Sequence, residues 1–231
     1  MVQAKKTNKI RGTASDRVFL GIAYLVMLLA LVVVLYPLIY VVSSSFSSAT
    51  AVMTGKVWLW PVDLSLEGYT TVFKNSQVWT GYMNTIIYTV CATVLGVTLT
   101  IMVSFPLSRR NLLMGTKFFN GYIVFTMLFS GGMVPTYLLI KDLNLLNTRW
   151  ALIIPGAMSA YNIIIARTFF MNTIPDDLYE AAMLDGCPDV RFVTSIVLPL
   201  SKAIVAVLAL FYAVSHWNSY MPALLYLRRS D

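Results

Sequence analysis

Charge is scarce in this sequence. Lysine, arginine, aspartate and glutamate make up 12% of its 231 residues, while hydrophobic residues make up 58%. An ordinary soluble domain carries about 25% charged residues. A chain this long with so little charge has a bilayer, not water, as its main solvent. Histidine occurs once, at His216, so no histidine cluster exists to hold a metal. The two cysteines, Cys91 and Cys187, form no Cys-x-x-Cys pair and supply no disulfide framework. The nucleotide-binding pattern G-x-x-x-x-G-K-[ST] does not occur; Gly131-Gly132 is not followed by the Gly-Lys it requires. No Cys-His, Ser-His or paired-carboxylate arrangement lies in the apolar segments, which disfavours a membrane enzyme. The net charge of +7 does not point to nucleic acid, because the basic residues sit at the ends of apolar segments rather than in one patch.

What is present is a series of long apolar runs. A spanning helix needs about 20 such residues. Five spans are expected, at about 18–42, 81–107, 118–140, 150–170 and 203–227. The runs are unbroken, whereas barrel strands would alternate. The expected fold class is therefore all-α, a polytopic transmembrane helix bundle. Residues 1–17 form an N-terminal segment, 18–227 the transmembrane domain with a polar loop at 172–202, and 228–231 the end.

Orientation follows from lysine and arginine near the span ends. One side carries Lys5, Lys6, Lys9, Arg11, Arg17, Arg109, Arg110, Lys117, Arg167, Arg191 and Lys202. The other carries only Lys56, Lys74, Lys141, Arg149, Arg228 and Arg229. The N-terminus and the 172–202 loop are expected in the cytoplasm. A signal peptide ending at Ala49-Thr50-Ala51 is the rival reading of the first segment. The run from Val18 to Val42 is long for a signal core, which favours a retained span. The tryptophans Trp58, Trp60 and Trp79 then mark the outer interface.

The polar loop holds half of the ten acidic residues: Asp176, Asp177, Glu180, Asp185 and Asp189. Thr173, Pro175 and Asp176 fit a helix start, with Thr173 as N-cap. Gly186 suits a left-handed C-terminal cap, and Pro188 blocks continuation. The expected helix, Pro175 to Asp185, is about 16 Å long. Ala181 and Ala182 would leave a shallow surface for another protein. An ordinary polar connector is the competing reading.

The segment Glu180-Ala181-Ala182-Met183-Leu184-Asp185-Gly186, with Ile196-Val197-Leu198-Pro199 after it, resembles the EAA loop of bacterial ABC importer permeases. Every position of that family's pattern is matched. The stretches 131–157, 166–182 and 209–224 resemble the maltose-type carbohydrate permeases, and within them the LplC-like group. The resemblance implies a short cytoplasmic coupling helix that fits a cleft of a separate ATPase. It assigns coupling to Glu180, Ala181, Ala182, Asp185, Gly186, Ile196, Leu198 and Pro199. It also implies ATP and Mg bound by that ATPase dimer and no cofactor in this chain. The implied partners are a second homologous permease, an extracellular solute-binding protein and the lipid bilayer of a bacterial cell; nucleic acid is not among them.

Polar side chains in a span turn inward, toward a bundle or cavity. Asn84, Tyr161, Asn162, His216, Trp217, Asn218 and Tyr220 are the candidates for a solute path, with interhelical hydrogen bonding and an interfacial aromatic belt as the plainer reading. Permeases of the resembling family have a sixth span after the stretch that ends here near Leu227. Two readings follow: a fragment of a longer permease, or a five-span product unable to transport. An importer permease for another class of solute is a further alternative.

Overall fold

The structure, a computed structural model, describes residues 13–109 and 115–227. Lys5, Lys6, Lys9, Arg11, Arg110, Arg228 and Arg229, used above for orientation, lie outside the described residues. The all-α expectation holds: among the described residues the fold is helical, with one isolated antiparallel pairing of Ser47 and Leu64. The chain divides into two compact units, residues 1–79 and 80–231.

The first unit is dominated by helix α1, Ala14–Ser45. The Asp16 carboxylate accepts from the Thr13 N–H at 2.8 Å, closing the helix start. Apolar residues cover α1 on all sides, the pattern of a membrane span rather than of a surface helix. The chain then folds back on the end of α1. Ser43 Oγ donates to the Leu59 carbonyl at 2.6 Å, and Ser47 Oγ accepts from the Val62 N–H at 3.0 Å. Helix α2, Ala49–Met53, buries Ala51 in this turn, and α3, Glu67–Lys74, follows.

Helix α4, Ser76–Ser108, leads into the second unit. At ~1.5 Å per residue its 33 residues span about 50 Å, enough to cross a bilayer. Helices α1 and α4 are long and apolar enough to cross alone, and two bent helix pairs would qualify if each counted as one span.

The remaining expected spans are not straight helices. Residues 118–140 split into α5, Thr116–Leu128, and α6, Met133–Asp142, which meet at 112°. The break lies at Gly131-Gly132, where Gly132 takes φ +83°, a left-handed value that glycine adopts at no steric cost. Residues 150–170 split into α7, Trp150–Ile153, and α8, Ala160–Thr173. Pro155 and Gly156 occupy the gap, and Ser159 caps α8.

The loop expected at 172–202 is mostly helical. It holds α9, Asp176–Leu184, then α10, Asp189–Phe192, a π-helical turn at Val193–Val197, and α11, Leu198–Leu200. The run Asp189–Leu200 then bends by 87° into α12, Lys202–Trp217. Helix α13, Tyr220–Tyr226, is set off from α12 at Asn218-Ser219, where Asn218 Nδ2 bonds back to the Val214 carbonyl at 2.8 Å. The second unit packs around Ile101, Phe105, Phe170, Ile174, Phe192 and Leu208.

Candidate functional site: an acidic helix and a polar pocket

Helix α9 begins at Asp176, one residue after the expected start at Pro175. Thr173 is the last residue of α8, not the N-cap of α9; Pro175 takes that position with φ −61° and ψ 147°. The reason is local. A residue before proline is pushed out of the helical region, so Ile174 must be extended, and α8 runs up to it. Asp176 and Asp177 occupy the first turn, where the helix dipole favours negative charge.

The C-terminus matches expectation. Gly186 sits at φ +71°. Its N–H donates to the Met183 carbonyl at 3.0 Å, and the Cys187 N–H donates to the Ala182 carbonyl at 2.9 Å. This doubly bonded left-handed cap ends α9 after Leu184.

The helix is two-faced. Tyr179 and Ala182, three positions apart, turn inward; Ala182 is 8% exposed and joins the cluster around Phe105 and Phe170. Ala182 therefore packs against its own chain and is not part of an open surface, which corrects the expectation drawn from the Ala181-Ala182 pair. Glu180, Ala181, Asp185 and Gly186 face outward. Leu184, 90% exposed, adds an apolar patch beside these acids. Ile196 and Leu198 are half-buried against the same core, and Pro199 is exposed.

The underside of α9 rests on an aromatic cluster. The Tyr179 and Phe192 rings stand edge to face at 5.2 Å between centroids, and Phe105 lies 5.9 Å from Phe192 and 6.1 Å from Phe170. Tyr179 donates its hydroxyl to Asp189 Oδ1 at 2.8 Å. Burial, that bond and the Asp189 charge push the Tyr179 phenol up to about 12, against the lowering influence of Arg109.

Sequence reasoning used Arg109 only to set orientation. In the structure it is 4% exposed at the end of α4. One guanidinium nitrogen donates to the Ile174 carbonyl at 2.7 Å, and another pairs with the Asp176 carboxylate. The available signal was the Arg109-Arg110 pair after a 33-residue apolar helix, expected on the same side of the membrane as an acid-rich loop.

At the far end of α4 lies a polar pocket of about 480 Å³. It brings together Asn84, His216, Trp217, Asn218 and Tyr220, five of the seven path candidates, with Thr85 and Tyr88. Among the described residues its lining carries no Lys, Arg, Asp or Glu side chain. Tyr161 and Asn162 are elsewhere. Tyr161 stacks on Phe211 at 6.4 Å, and Asn162 is buried in the first turn of α8. His216 is buried against Gly156, and its Nε2 has no hydrogen-bond partner among the described residues.

Comparison with known proteins finds relatives over most of the chain. The chain is 40% identical to the polygalacturonan/rhamnogalacturonan transport system permease protein YtcP of Bacillus subtilis strain 168, over 93% of this chain and 74% of that one. It is 37% identical to protein LplC of the same organism, over 86% of this chain and 66% of that one. It is 27% identical to the diacetylchitobiose uptake system permease protein NgcG of Streptomyces coelicolor, over 90% of this chain and 69% of that one. The crystal structure of a bacterial ABC transporter involved in the import of the acidic polysaccharide alginate superposes with a TM-score of 0.89 at 36% identity, over 96% of this chain and 79% of that one. No protein-family model matches the chain.

Proposed function

From the premise that the chain belongs to the membrane-permease family of carbohydrate ABC transporters, we propose that it carries an oligosaccharide or polysaccharide fragment into a bacterial cell. The transport is powered by a separate cytoplasmic ATPase dimer that binds the ATP and Mg. The observation that carries this reading is α9: an exposed acidic face of Glu180, Ala181, Asp185 and Gly186 on a helix closed by a left-handed C-terminal cap and seated on an aromatic base. Such a helix is a knob that a partner can hold and push. The N-terminus and α9 then lie in the cytoplasm, and the pocket of Asn84, His216, Trp217, Asn218 and Tyr220 lies toward the outer face.

The mechanism is mechanical. ATP closes the ATPase dimer, the seated α9 follows it, and the helices joined to α9 change the access of the pocket. A ligand or partner shifts such an equilibrium only by binding the two states differently. Aromatic faces and amide groups suit sugar rings and hydroxyls. A second homologous permease supplies the facing half of the path, and an external solute-binding protein delivers the sugar.

The test is the double substitution Glu180→Lys with Gly186→Asp, read by co-purification of the ATPase and by uptake of labelled oligogalacturonide, diacetylchitobiose and other oligosaccharides. The expected outcome is loss of ATPase retention and uptake with the membrane level of the chain unchanged. Full ATPase retention and uptake in the double mutant would sink the coupling role of α9.

A further inference from the structure

Arg109 is a charge withdrawn from solvent, and arginine is almost never buried without partners. Its two bonds go to two different places. One reaches the carbonyl of Ile174, which ends the connector from α8; the other reaches the side chain of Asp176, the first residue of α9. Only Ile174 and Pro175, both extended, separate the two helices. The Ile174 N–H still bonds to the Phe170 carbonyl of α8 at 3.1 Å, but Pro175 has no N–H to give, so a joint this short would let α9 pivot. The planar guanidinium fork bridges it from the outside, and lysine, a point donor, could not hold both acceptors in one geometry.

The grip has a firm base. The Arg109 Cζ lies 5.8 Å from the centroid of the Phe105 ring, on which Tyr179 and Phe192 also pack. Arg167 of α8 donates its Nε to the Leu107 carbonyl at 3.0 Å, tying a second helix to the same end of α4. The helix so gripped then runs from Ser108 back to Asn84 in the pocket, about 36 Å at ~1.5 Å per residue.

We propose that Arg109 is a positioning residue: it clasps the start of α9 to the end of α4, so that displacement of α9 is delivered along α4 to the pocket. This rests on the reading of α9 as the element that the ATPase moves. Asp176 is 78% exposed, so the pair acts by fixing geometry more than by Coulomb energy. The clasp therefore acts as a transmission element.

The experiment uses the tagged chain with the subunits that co-purify from its own membranes, in lipid nanodiscs. Hydrogen exchange is followed in peptides covering 176–184 and 80–90, with and without ATP, Mg and vanadate. In the wild type both peptides should change on nucleotide addition. In Arg109→Gln and Asp176→Ala the change at 176–184 should persist, while that at 80–90 should fall by about tenfold in rate ratio. Arg109→Lys should transmit only in part. Because Asp176 is exposed, Asp176→Ala carries the test if Arg109→Gln does not assemble. A wild-type response at 80–90 in Asp176→Ala would overturn the clasp and leave the coupling reading standing. No response at 176–184 in the wild type itself would overturn the coupling reading, and the clasp with it.

Discussion

Tyr212 and Gly96 are in such close contact that a Cβ at Gly96 would stand 2.9 Å from Cδ1 of the tyrosine ring. The ring has nowhere to retreat. It is 2% exposed, its hydroxyl is bonded to Thr100 Oγ1 at 2.7 Å, and the same oxygen accepts from the Ser159 N–H at 3.1 Å. One side chain of α12 thus joins the middle of α4 to the cap of α8.

Gly96→Ala should therefore destabilise the second unit. Helix propensity favours alanine by about 1 kcal/mol, but overpacking a closed core costs about 1–3 kcal/mol. Tyr212→Phe removes the hydroxyl that serves both partners and leaves buried polar groups unpaired, at about 1–3 kcal/mol. Denaturant titration in detergent should show both variants unfolding earlier than wild type. A Gly96→Ala protein as stable as wild type would show that the two helices are not held at this distance.

At Gly186 the argument runs on backbone alone. A Cβ there would meet nothing within 4 Å, so space is not the constraint; the φ of +71° is. Gly186→Ala should cost about 1–2 kcal/mol, and Asn, which tolerates this region, should cost less. Exchange of the amides of Gly186 and Cys187, whose carbonyl partners are in α9, should quicken in the alanine variant first. Equal protection in the glycine, asparagine and alanine proteins would refute the strained cap.

Much of this was legible in the sequence, for identifiable reasons. The all-α class followed from unbroken apolar runs, and the end of α9 from Gly186 and Pro188, because glycine and proline act through their own backbone. Gly131-Gly132 and Pro155-Gly156 mark two of the breaks in the sequence itself, whereas the break at Asn218-Ser219 was less legible, because hydropathy does not register a bend. The site shows the same division. Asn84 joins the His216 to Tyr220 cluster across a long sequence separation, and only packing brings them together. Tyr161 and Asn162 have the right chemistry, but the turn at Pro155-Gly156 carries them elsewhere. Arg109 was visible as a charge, yet its partners lie more than 60 residues away.

The pocket wall at His216 rests on Gly156. A Cβ at that position would stand 2.8 Å from His216 Cε1, so Gly156→Ala must displace the imidazole. The aromatic and amide groups beside it in the sequence, Trp217 and Asn218, line the same pocket. Uptake should fall severalfold in Gly156→Ala while ATPase retention is unchanged, since α9 lies at the other end of α4. Asn84→Ala should act in the same direction. Undiminished uptake in both variants would place the solute path away from this pocket.

Tyr179 gives the helix seat a dependence on pH. Burial, its bond to Asp189 and the Asp189 charge hold the phenol at about 12, above its ordinary value near 10. The folded state thus keeps a proton that the unfolded chain gives up earlier. The contribution of this contact is fully present below about pH 10 and is lost as pH rises toward 12. Asp189→Asn should bring the titration down part of the way, because burial remains the largest cause. Arg109→Gln should move it further up, because the guanidinium now opposes the shift. With 13 tyrosines in the chain, the reading must be the phenolate absorbance of wild type minus that of Tyr179→Phe. A difference curve centred near pH 10, unmoved by either substitution, would mean that Tyr179 is not seated on Asp189.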